Sequence, residues 1–414
     1  MPERNHFIHL RSAGSFAPHF RPFMQRLGAQ GYTLGSRNSY RVGFVHLAAW
    51  CDRQGIRPPG LTDDVVEQFA RHARRCRCRV NGVGRPRHGR TTEHLRAARS
   101  VLRFLRALGV ARLARGPREP ALVIAYDGWL RERGIAPSTA WHRRRWSRLL
   151  TESLGHDPRR YRPADVRQFI TVQCRARGYA IATSQSVVAA VRGFLRYLVI
   201  VGRCDASLLD APPRLAQRRH STHPRYLSTA QVERTIATAR ATTPIGLRDR
   251  AAMLLLARLG VRAGEVARLT LTDVDWTGKR VRIISSKTGE PAWLPLPGDA
   301  GLALRAYIRK GRPATADAHV FVRSRAPFVG CARTSMITHL VAKALQRAGV
   351  DSPIRGPHVF RHSLATALLR KGWSLQGIGA LLRHRHPDTT ALYAKVDFNA
   401  LRLVVQPWPD TRKT

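Results

Sequence analysis

A chain of 414 residues with 72 Lys and Arg against 26 Asp and Glu carries a formal net charge of +46, a field that draws a polyanion from a distance and speeds encounter with it. Its 43% hydrophobic content suits folded domains rather than disorder, and its length suits two or three of them. No apolar run approaches the roughly 18 residues of a membrane span, and neither a lipidation signal, a lysine-rich amphipathic anchor nor the apolar core of a signal peptide is present. Membrane and exported classes are thereby set aside. A cytoplasmic, nucleoid-associated protein acting on nucleic acid is expected.

Residues 1–19 read as a basic lead-in. An internal repeat follows. Phe23–Gly31 lines up with Tyr126–Gly134 at an offset of 103, Val66-Glu-Gln-Phe69 with Val166-Arg-Gln-Phe169 at 100, and Phe104–Leu108 with Phe194–Leu198 at 90. Helical spacing of apolar residues marks Ser36–Gln54, Thr62–Arg71 and Thr92–Leu108 in the first copy. The same spacing marks Ser138–Leu154, Pro163–Cys174 and Thr183–Val201 in the second.

The first copy's surplus of residues falls on Arg74–Arg90, which holds seven arginines and no acid. Such a run is either a solvated loop or an arginine-rich finger along a phosphate backbone or in a minor groove. The extreme charge favours the finger, with Arg74, Arg75, Arg77, Arg79, Arg85 and Arg87 as candidate DNA contacts. Arg143, Arg144 and Arg145 are the candidates in the second copy. A short Pro/Gly-containing linker, Ala114–Pro120, joins the copies, and a longer one, residues 210–224, precedes the last part of the chain.

Six cysteines (Cys51, Cys76, Cys78, Cys174, Cys204, Cys331) are scattered as thiols of a reducing compartment would be. Cys76-Arg-Cys78 with His72 and His88 nearby suggests zinc only weakly, because structural sites favour two to four residues between paired cysteines. No metal is expected.

The last part carries the chemistry. An apolar run from Ala251 to Ala257 reads as a buried helix, and Gly260-Val-Arg262-Ala-Gly-Glu265 follows it. Val281–Ser285 and Ala292–Pro297 flank a turn with Lys287, the pattern of a β-hairpin. His358-Val-Phe-Arg361 places a histidine and an arginine one helical turn apart, so both can converge on one group. Arginine's planar fork fits phosphate oxygens, and histidine moves protons near neutral pH. His384 and, nine residues on, Tyr393 complete the set. A tyrosine with a pKa near 10 is only about a thousandth ionised at pH 7, roughly 4 kcal/mol short of a phenolate, so a nucleophilic Tyr393 needs strong electrostatic help. Converging arginines can supply it without a metal. Glu265, one turn from Arg262, reads as a support rather than a reactant.

The ordered set Arg262, Lys287, His358-x-x-Arg361, His384 and Tyr393 resembles the tyrosine recombinase (phage integrase) family of site-specific DNA recombinases, over about the last 190 residues. Two departures stand out. Arg383 occupies the glycine position of the usual Leu-Gly-His, and Phe360 replaces the usual leucine before the second arginine.

The resemblance implies a mainly α fold with a small β-hairpin or sheet in the catalytic domain, residues 225–414 with a C-terminal tail. Residues 120–209 would be the SAM-like helical core-binding domain, and residues 20–113 a second SAM-like DNA-binding module. The catalytic set would be Arg262, Lys287, His358, Arg361, His384 and the nucleophile Tyr393, passing through a 3′-phosphotyrosyl intermediate without cofactor or metal. Partners would be double-stranded DNA with specific recombination sites and three further copies in a homo-tetramer on two duplexes, with other recombinase or accessory subunits allowed for. The tail, Val396–Val405, would form a short helix packed on its own domain or on a neighbour. The added first module favours integration, excision or transposition of a mobile element. A type IB topoisomerase and a non-catalytic or partner-dependent DNA-binding protein are the competing readings.

Overall fold

The computed structural model describes residues 13–76, 91–112, 119–215, 225–285, 289–330, 334–352, 354, 356–384 and 386–393. These residues form a mostly helical chain with one small sheet.

Four helices build the first module: α1 (Ala17–Ala29), α2 (Leu34–Arg53), α3 (Asp63–Arg75) and α4 (Thr91–Ala107). Four more build the second: α5 (Ala121–Glu132), α6 (Pro137–Leu154), α7 (Pro163–Ala176) and α8 (Ile181–Ile200). The repeat is visible in space as the same order of elements, down to a 3-10 turn between the second and third helices, Pro58–Gly60 in one copy and Pro158–Arg160 in the other. Matched apolar positions are buried in both copies: Phe23 and Tyr126, Leu27 and Leu130, Val66 and Val166, Phe69 and Phe169, Phe104 and Phe194. Each such side chain contributes about 1.5–3 kcal/mol through apolar area removed from water.

The copies start their helices differently. Thr33 and Thr62 accept backbone N–H bonds from Ser36 and Val65 in the first, whereas Pro137 and Pro163 open the matching helices in the second. Proline at that position gives up only an amide that no helical carbonyl would accept.

The last part begins with α9 (Thr229–Ala237), whose Ser228 and Gln231 form a reciprocal capping box. Next come α10 (Pro244–Leu259) and the short α11 (Ala263–Arg268). Helix α10 is the spine, with Ala251–Leu256 all buried in the largest apolar core. Strands β1 (Val274–Asp275), β2 (Arg280–Ile284) and β3 (Pro291–Pro295) form an antiparallel sheet in that order, with Val281 opposite Leu294 and Ile283 opposite Ala292. The alternation of β2 puts Val281 and Ile283 into the core. Helices α12 (Gly298–Ala306), α13 (Ser335–Arg347), α14 (His358–Arg370), α15 (Leu375–Leu382) and α16 (Pro387–Ala391) follow among the described residues. The Ser363 hydroxyl accepts the Leu227 amide at 2.8 Å, tying the start of this part to α14.

Backbone contacts divide the chain into two compact units. The first module and the catalytic part share one; the second module is the other. In the shared unit the Phe328 amide donates to the Gln30 carbonyl at 3.3 Å. Among the described residues, no helix is long and apolar enough to cross a membrane.

Candidate active site

The α10–α11 junction sets the first arginine. Gly260 ends α10 in the left-handed conformation (φ 59°), and a Cβ there would come within 2.5 Å of Leu382 Cδ2, so backbone and packing both demand glycine. Arg262 then opens α11. Its amide donates to Glu265 Oε2 at 2.9 Å and its guanidinium to Oε1 at 3.1 Å. The Glu265 side chain is fully buried, and Arg383 Nη2 also donates to it at 2.8 Å. One inaccessible carboxylate therefore holds two guanidinia, and the support role read for Glu265 has a geometric form.

Helix α14 carries the next group. Buried Arg361 donates from Nη1 to the Gly260 carbonyl and from Nη2 to that of Leu382, 2.5 Å in each case. Those bonds spend two of the five guanidinium N–H groups and leave the rest for a ligand. Burial, then the charge of Arg262, pulls the Arg361 pKa down to about 10, so it stays charged at neutral pH. His358 begins the same helix and is exposed; desolvation and the charges of Arg361 and Arg262 hold it below the usual histidine range.

Helix α15 ends at Arg383, which adopts φ 55° and ψ 51°. This is the position where glycine would be strain-free, and an arginine there costs about 1–2 kcal/mol. The ion pair to Glu265 offsets that strain. Next to it, His384 Nδ1 lies 2.7 Å from Thr390 Oγ1, and its ring stacks over Tyr393 with an interplanar angle of 6°. Burial, followed by the charges of Arg361 and Arg262, pushes His384 down to about 4.

Tyr393 is 2% exposed and packs with Ala365, Leu369, Ile378 and Leu382. Burial raises its pKa, against a smaller lowering by Arg361. Its hydroxyl lies 3.0 Å from His362 Nδ1. Burial and the neighbouring His358 and Arg361 keep His362 neutral, so a bare ring nitrogen can accept that hydroxyl's proton.

Of the residues read from the sequence, Arg262, His358, Arg361, His384 and Tyr393 are thus placed around one site. Lys287 lies outside the described residues, between β2 and β3, as do Arg77, Arg79, Arg85, Arg87 and the tail Val396–Val405. Arg74 and Arg75 stand exposed on the last turn of α3. The three consecutive arginines of α6 fan around the helix, as a 100° step per residue requires. Arg143 turns toward Tyr126, Arg144 lies 3.5 Å from Glu119 and 3.6 Å from Asp127, and Arg145 is exposed beside Trp141. The sequence reading missed His362 and the structural use of Arg383. Four residues from His358, His362 had a helical-face signal; Arg383 had none beyond its unusual place.

The phage integrase family model matches residues 225–400. A candidate integrase/recombinase of Sinorhizobium fredii, y4rA, is 36% identical over 96% of this chain and 95% of its own length. The tyrosine recombinase XerD of Ralstonia nicotianae is 37% identical over 47% of this chain and 61% of its own. Among solved structures, a lambda integrase (residues 75–356) dimer bound to a core site superposes with a TM-score of 0.53 at 15% identity, over 66% of this chain and 94% of that one. The Tn1549 transposon integrase in complex with transposon right end DNA does so at 0.53 and 18%, over 68% and 97%. The chain belongs to the phage integrase family of tyrosine recombinases, and its fold is theirs.

Proposed function

We propose that Tyr393 attacks a scissile DNA phosphate, forming a Tyr393 Oη–phosphorus bond as the bond from phosphorus to the 5′ oxygen breaks. Arg262 and Arg361 hold the non-bridging oxygens and offset the charge that develops there. His362 keeps the hydroxyl's hydrogen bond at rest, neutral His358 takes its proton at the phosphate, and His384 donates to a phosphate oxygen. Lys287 protonates the departing 5′ oxygen. A 5′-hydroxyl from another strand then reverses the step, and four copies on two duplexes exchange strands in pairs.

The observation that carries this reading is that Arg262, His358 and His384 gather around Arg361, which in turn lies near a tyrosine whose hydroxyl is held by His362 at 3.0 Å. At 2% exposure that hydroxyl is sheathed, so binding must draw Tyr393 outward before attack. Residues 20–113 and 120–209 are the two DNA-gripping modules ahead of the catalytic domain of 225–414, with 210–224 as the joint. The added first module favours integration, excision or transposition of a mobile element.

Covalent trapping tests the reading. Wild type and Tyr393→Phe are incubated with nicked duplexes from the DNA flanking the gene, without added metal. A denaturation-resistant protein–DNA band in wild type alone is expected. A band that persists in Tyr393→Phe, or none in wild type despite tight salt-sensitive binding, overturns it.

A further inference from the structure

The first module gathers imidazoles and a thiol at one place, with His46 buried and His72 and Cys76 half-buried. His46, on α2, is 1% exposed, and His94, on α4, is 5% exposed. At the end of α3, His72 and Cys76 are one helical turn apart, so both face His46. The Cys76 sulfur lies 3.3 Å from His46 Nε2, and single donor atoms of His46, His72 and Cys76 all fall within 4.8 Å of one another. Zinc–sulfur and zinc–nitrogen bonds of about 2.3 and 2.0–2.1 Å at the tetrahedral angle give a sulfur–nitrogen edge of about 3.6 Å. The Cys76 Sγ–His46 Nε2 separation of 3.3 Å is close to that edge.

The second copy serves as an internal control. At offsets of 103 and 100, the positions of His46, His72 and Cys76 are held by Leu149, Val172 and Ala176. There Val172 and Ala176 are exposed and Leu149 is half-buried, so the helical bundle of the repeat does not depend on side chains gathered at these positions. Among the described residues, burial leaves His46 Nδ1 without a hydrogen-bond partner, a desolvation cost that leucine would avoid.

We propose that His46, His72 and Cys76 bind one zinc ion that pins α2 to the C-terminal end of α3. Thiolate with imidazole in a tetrahedral space selects zinc among the common cations. The sequence reading grouped Cys76 with Cys78, His72 and His88 and discounted zinc on the cysteine spacing, whereas the fold sets Cys76 beside His46 on another helix. The pinned turn is also the one that bears exposed Arg74 and Arg75, so the ion would steady the base of the arginine-rich run.

The test uses the full chain without an affinity tag, stripped of metal and titrated with Co²⁺ and then Zn²⁺. One equivalent of Co²⁺ should bind with the intense visible bands of a tetrahedral site and a thiolate charge-transfer band, and Zn²⁺ should displace it. Cys76→Ser should abolish the charge-transfer band. His46→Leu, which copies the second module, should keep the helical signal while weakening Zn²⁺ binding by more than the 10–100-fold that outer-shell changes typically cost. No stoichiometric binding by folded wild type, or binding unchanged in both variants, overturns the proposal.

Discussion

The chain deploys its arginines in two opposite ways. In the catalytic part Arg262, Arg361 and Arg383 are tied down, two by the buried Glu265 carboxylate and one by the carbonyls of Gly260 and Leu382. In the helical modules Arg74, Arg75 and Arg145 extend into solvent. A guanidinium fixed before the substrate arrives needs no reorganisation as charge develops on a phosphate, while an exposed one adds attraction that salt screens. Fixed cations suit chemistry; loose ones suit encounter.

The sharpest way to probe that contrast removes the group on which the fixed cations act. Tyr393→Phe should eliminate the covalent protein–DNA complex on denaturing gels and leave the DNA affinity within a few-fold of wild type. Arg361→Ala should slow cleavage by about 10²–10³-fold, as loss of one preorganised donor does. It should also lower stability by about 2–4 kcal/mol in urea melts, because two buried carbonyls lose their donor. Glu265→Gln should cost about 3 kcal/mol, since it breaks a buried pairing on one side only, and activity should fall although no phosphate contact is removed.

Acid should weaken the same part of the chain. The folded-state pKa of His384, about 4, lies below the 6.5 of a free ring, so the unfolded chain binds the extra proton. Its contribution is full above about 6.5 and is lost as pH falls toward 4. Melting temperatures across that range should drop for wild type, and less steeply for His384→Asn. At the other extreme, Arg145→Ala should reduce the slope of log affinity against log salt by about 0.9 with no change in cleavage rate on saturated DNA. A large rate effect there would break the division between loose and fixed cations.

Much of this was legible without coordinates. The offsets of 103, 100 and 90 located matching helices because each repeat must bury the same apolar face, and α4 and α8 begin at Thr91 and Ile181, 90 residues apart. The spacing of His358 and Arg361 likewise fixed a shared helix face. Contacts between elements distant in sequence were not legible. His362 meets Tyr393 across 31 positions and Arg383 meets Glu265 across 118, and no local pattern records either. Cys76 makes the same point, since the cysteine nearest it in sequence is Cys78 while its described neighbour in space is His46.

The sequence by itself determined the family, the helical repeat and the candidate reactive groups, because periodicity and motif spacing are properties of short stretches. Only the tertiary structure decided that a strained Arg383 stands where glycine would relax, that Glu265 holds two arginines, and that Tyr393 rests sheathed against His362. Those outcomes depend on which buried charge finds a partner, and partners are chosen by packing once the chain has closed on itself.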